Sequence, residues 1–188
     1  MKNMLRNMIA AALLSAGFVQ HAAAAIVTVA GDTTGGPTFI RPGDVGEDPY
    51  PWLTGMAYRA FDIVTSAGPN EFNWENSLMT SCDFGCVTFL YAGPFDPEHA
   101  RKNLMSFDTD GYNFSAMQTF LEPGKHYTYV VTGYFDQDAG AFSITAGGQG
   151  GISISAVPEP SAGLMLLGGL AAIGALARRR ASDTAQRS

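Results

Sequence analysis

The chain has 188 residues, 15% of them charged, with 22 glycines, 11% aromatic residues and a net charge of −6. With targeting segments set aside, that leaves room for one domain; glycine and aromatics point to turns and short strands, and the low charge to export. The acidity is concentrated in residues 26–156, where five bases and fifteen acids make −10, while 1–25 and 157–188 each carry +2. No basic stripe faces a phosphate backbone, so nucleic acid is excluded as a partner.

Residues 1–25 have the three parts of a secretory signal. Lys2 and Arg6 form a positive start, Met8 to Val19 is apolar, and Ala22 to Ala25 supply small residues for cleavage. The apolar part is about a dozen residues, short of the roughly 20 that span a membrane. Cleavage after Ala24 or Ala25 starts the mature chain near Ile26.

From there the pattern is all-β. Ile26 to Ala30 alternates and is β-branched, a first strand. Gly31 to Pro51 is rich in turn signals, with Phe39-Ile40 as a short edge strand. Met56 to Thr65 reads as a strand, as do Glu71 to Thr80 and the apolar run Val87 to Tyr91. Phe95 to Gly111 reads as polar loop, with one helical turn within Pro97 to Leu104. Ser115 to Leu121, Tyr127 to Phe135 and Ala141 to Ala146 are further strands, and Ile152 to Ser155 closes an edge after the joint Gly147 to Gly151. Seven to nine antiparallel strands at about ten-residue spacing predict a β-sandwich or jelly roll over residues 26–156.

A resemblance adds to this. The order YRAFDIV, CVTFLYAGPFDP, FDTDGYN and LEPGKHYTYVVTGYFDQDAGAFSITAGG resembles the bacterial pre-peptidase C-terminal domain. Leu121 to Val131 and Gly140-x-Phe142-x-Ile144 carry most of the likeness. The resemblance implies a non-catalytic appendage of an exported protein. Some such domains bind calcium through loop carboxylates.

Chemistry-bearing residues are few. Cys82 and Cys86 are the only cysteines, and in an oxidising compartment they pair as a disulfide across a tight turn. Two thiolates without Cys or His partners at zinc spacing cannot fill a tetrahedral site, so no zinc site is expected. His99 and His126 lie outside any G-x-S-x-G or H-E-x-x-H context, and no nucleophile with a base is found, so an enzyme is not expected. Asp108-Thr109-Asp110-Gly111 begins like a calcium loop and lacks the rest of its spacing. Asp108 and Asp110 are therefore the calcium candidates, with no cofactor as the expectation. Trp52, in a Pro-Tyr-Pro-Trp loop, is the candidate ring for stacking on a sugar, whereas strand aromatics belong in the core.

The C-terminal residues are the most specific. Ser161 to Ala177 is 17 residues without a charge, roughly 26 Å as a helix, close to the hydrocarbon thickness. Arg178, Arg179 and Arg180 stop transfer and stay cytoplasmic, leaving the sandwich outside and residues 181–188 as a short cytoplasmic tail. Val157-Pro158-Glu159-Pro160, the apolar span and the arginines resemble the PEP-CTERM sorting signal over residues 157–180. That resemblance implies recognition of Pro158-Glu159-Pro160 by an exosortase in the inner membrane of an exopolysaccharide-making Gram-negative bacterium, then release to the cell surface or medium. The function expected is a non-catalytic exported surface or matrix protein associated with exopolysaccharide or biofilm. The alternative is a carbohydrate- or calcium-binding sandwich module.

Overall fold

A computed structural model describes residues 26–43, 53–66, 75–109, 112–148 and 150–158. Their strands are β1 (Ile26–Asp32), β2 (Thr38–Phe39), β3 (Met56–Thr65), β4 (Glu75–Cys82), β5 (Cys86–Ala92), β6 (Leu104–Asp108), β7 (Phe114–Phe120), β8 (His126–Gly133), β9 (Ala141–Gly148) and β10 (Ile152–Ala156), with one 3-10 turn at Pro97–His99. Four strands in the order β1-β9-β4-β7 make one sheet. The order β10-β3-β8-β5-β6 makes the other, with β2 also pairing β3. Every named strand pair is antiparallel. The described residues are therefore all-β apart from that 3-10 turn, two sheets packed as a sandwich.

The core between the sheets takes alternate residues from both. Phe61 and Ile63 of β3, Leu90 of β5, and Tyr129 and Val131 of β8 meet Leu78 of β4, Met117 of β7 and Ile144 of β9. Burying a side chain of this size stabilises the fold by roughly 1.5–3 kcal/mol. The small sheet leaves its other face to solvent, so β1 and β7 alternate between exposed and covered positions.

The middle of the large sheet, β5 and β8, is covered on both faces. A second cluster of Phe39, Leu53, Met56, Tyr58, Phe89 and Val130 lies on its outer face, built by the loops after β2 and after β5. That is why six consecutive residues of β5 and seven of β8 are buried with no alternation.

One hydroxyl network sits inside the sandwich. Tyr129 Oη and Thr80 Oγ1 lie 2.9 Å apart, linking β8 of one sheet to β4 of the other. Thr88 and Ser115, hydrogen-bonded to each other, also face the Tyr129 hydroxyl. Burial pushes the Tyr129 phenol up, against those hydroxyl contacts.

Ten strands exceed the seven to nine expected, and β6 is the clear omission from the sequence reading, which took residues 95–111 as polar loop. Its register with β5 shifts between Leu90 and Tyr91, so Leu104 and Ser106 pair with consecutive residues and Met105 bulges. The bulge flips parity, which puts both Leu104 and Phe107 against the outer cluster. No period-2 pattern survives such a shift. The helical turn expected in residues 97–104 is the 3-10 turn. The secretory signal, the apolar C-terminal span and the arginines lie outside the described residues. Among the described residues no helix is long and apolar enough to cross a membrane.

Candidate functional site

The outer edge of β3 is covered by two short strands in tandem. Phe39 of β2 lies opposite Met56, and Ile152 to Ala156 of β10 lie opposite Thr65 to Phe61. Pro37 accepts the Tyr58 amide at 3.0 Å, and Val157 donates its amide to the Ala60 carbonyl at 2.9 Å. Pro158 has no N–H with which to carry this ladder further. The chain thus leaves the sandwich from the side of the large sheet.

Beside that exit lies a trough of about 530 Å³ on the outer face. Its floor is Ala60, Asp62 and Thr128. One wall is Ser155, Ala156, Val157 and Pro158; the other is Pro94, Phe95 and Pro97. The second wall exists because Gly93 takes φ 90°, a left-handed conformation that suits glycine, and turns the chain back over the sheet. Thr128 Oγ1 donates to the Gly93 carbonyl at 2.8 Å and holds that turn down. Phe95 then packs its ring on Tyr58 at 5.1 Å and on Tyr91 at 4.9 Å between centroids. Asp96 caps the 3-10 turn, accepting the Glu98 amide at 3.1 Å and facing His99 Nδ1 at 3.0 Å. The His99 contact, foremost, holds the Asp96 carboxyl below its ordinary value.

At the rim, His126 Nδ1 is 3.0 Å from Asp62 Oδ2. Register places Ser155 directly opposite Asp62 on one side and Thr128 opposite Asp62 on the other. Asp62 therefore sits on the strand between β10, which carries Ser155, and β8, which carries His126, with β10 and β8 about 9.5 Å apart. The trough is lined by prolines and rings, with one polar corner at Asp62 and His126.

The residues singled out from sequence are scattered. Cys82 and Cys86 form the expected disulfide, Cα atoms 6.3 Å apart, where β4 of the small sheet crosses to β5 of the large one. Asp108 ends β6, and its Oδ2 accepts the Ala116 amide of β7 at 2.6 Å; Asp110 lies outside the described residues. Among the described residues no three His, Cys, Asp or Glu side chains come together as metal ligands. Trp52, Glu159, Pro160 and Arg178 to Arg180 lie outside the described residues. Val157 and Pro158 line the trough.

Sequence reading missed the trough, and with it the Asp62–His126 pair and the place of Phe95. The signals Gly93-Pro94 and Asp96-Pro97 mark turns, but nothing local says that the turns fold over a strand some thirty residues away. It also passed over Arg41, which is buried, donates to the Tyr134 carbonyl at 2.7 Å and lies 5.2 Å over that ring.

Residues 156–180 match the PEP-CTERM protein-sorting motif. No curated protein matches the chain. The motif implies export, processing by an exosortase-type enzyme and a C-terminal tail anchored in the membrane before the protein reaches the surface.

Proposed function

We propose that this protein is a non-catalytic surface or matrix component, carried out of the cell through a secretory signal in residues 1–25. Exosortase-type processing of the tail then hands it to the cell surface, where it associates with exopolysaccharide. The observation that carries this reading is the sorting motif fused to the last strand of an all-β domain. The absence from the sequence of a nucleophile in a recognisable catalytic context supports a non-catalytic role.

Fractionation tests the sorting half. Wild-type protein is expected to leave the inner membrane, while a variant with alanine for Pro158, Glu159 and Pro160 stays there; equal release of both would sink the proposal. Sedimentation with the cell's own purified polysaccharide tests the other half. Protein left wholly in the supernatant would remove the polysaccharide association and keep the sorting.

A further inference from the structure

The sorting signal and the folded domain share residues. The motif match starts at Ala156, the last residue of β10, which sits opposite Phe61 of β3. Val157 is hydrogen-bonded to Ala60, and Val157 with Pro158 forms one wall of the trough. No spacer separates the domain from Pro158-Glu159-Pro160.

The facing wall is the kind of surface that extended proline peptides prefer. Pro94, Phe95 and Pro97 stand across from Pro158, with Pro37 and Tyr58 also lining the trough. Grooves of rings and prolines take polyproline II segments because these lose little entropy on binding. Prolines at 158 and 160 steer residues 157 and 159 away from helix and toward that extended form. A polyproline II segment rises about 3.1 Å per residue, so a Pro-x-Pro step in that form spans about 6 Å. The motif is tethered at the trough's own wall, so its effective concentration there is on the order of millimolar or above. A weak contact suffices.

We propose that the trough is an intramolecular peptide site that seats Pro158-Glu159-Pro160 against the outer face of the large sheet. The sandwich then shields its own sorting motif, and a processing enzyme receives the motif after it lifts off. The proposal takes the identity of the motif from the reading above, but the seat itself is tested without that enzyme.

The test uses the full chain in detergent micelles and a protease that cuts after proline, with cuts after Pro158 and Pro160 identified by mass. Wild-type tail is expected to be cut slowly. Ala60→Trp, which fills the trough, and Pro97→Glu, which changes the opposite wall, are expected to be cut several-fold faster with unchanged melting. Phe120→Ser, on the solvent face of the small sheet, should match wild type. Equal rates for all four proteins would overturn the seat. If Ala60→Trp does not fold, Pro97→Glu decides alone. Equal protease rates together with slower processing of the trough variants in cells would make the trough a landing surface for the enzyme, which also overturns the seat. Loss of sorting by the alanine motif variant is a separate result, so the two proposals fail independently.

Discussion

Tyr91 and Tyr129 are both fully buried, and they differ in what their hydroxyls meet. The Tyr129 hydroxyl bonds Thr80 across the sheets; that of Tyr91 finds no hydrogen-bond partner among the described residues, and burial pushes its phenol well up. Tyr129→Phe should cost about 1–3 kcal/mol, because it leaves buried hydroxyls short of a partner. Tyr91→Phe removes an unpaired polar atom and should leave stability unchanged or raised. Paired thermal melts check both, and a larger loss for Tyr91→Phe would contradict the assignment. Asp32 adds a pH dependence. Hydrogen bonds from Thr34, first the hydroxyl and then the amide, which lies 2.7 Å from Oδ1, hold its carboxyl below the ordinary value. With the folded value below the unfolded one, its contribution is complete above the unfolded pKa of about 3.9 and is lost as pH falls through the lower folded value. Asp32→Asn should therefore narrow the gap in melting temperature between neutral and strongly acid solution.

At the scale of elements, β7 is an edge strand without a charge, and Phe114 and Phe120 are exposed along it. Such an edge templates pairing with other chains unless something blunts it. Asp108 does so, with its carboxylate on the Ala116 amide in the middle of the strand. Asp108→Ala should promote self-association, read as a concentration-dependent rise in mass by light scattering; a monomer at every concentration would refute the guard role. The disulfide braces the crossing between sheets but closes a loop of few residues, so replacing both cysteines by serine should cost about 2 kcal/mol and leave the fold intact. Element by element, sequence reading did well where one face is wet. β1 and β9, both in the small sheet, announce themselves by alternation, and the turns between strands by glycine and proline. It identified the runs of β5 and β8 as strands while saying nothing of the second apolar layer over them. It lost β6 to a bulge. The trough was not legible, because its parts run from Pro37 to Pro158 and meet through long-range pairing of β10 with β3. The tail was legible because its signal is local: a short motif, an uncharged run and three arginines.

At the scale of the whole molecule, an acidic sandwich is delivered by a tail that begins inside its last strand. That junction also decides how the protein bears load. Drag on the domain while the tail is held in the membrane reaches the fold first at the Val157–Ala60 hydrogen bond. It passes next to the β10 pairings, from Ala156 opposite Phe61 to Ile152 opposite Thr65. As the terminal strand of its sheet, β10 has β3 as its one neighbour there, whereas β3, β8 and β5 are each gripped on two sides. Under tension the sandwich should peel by this five-residue strip before its centre yields, lengthening the tether while most of the core stays folded.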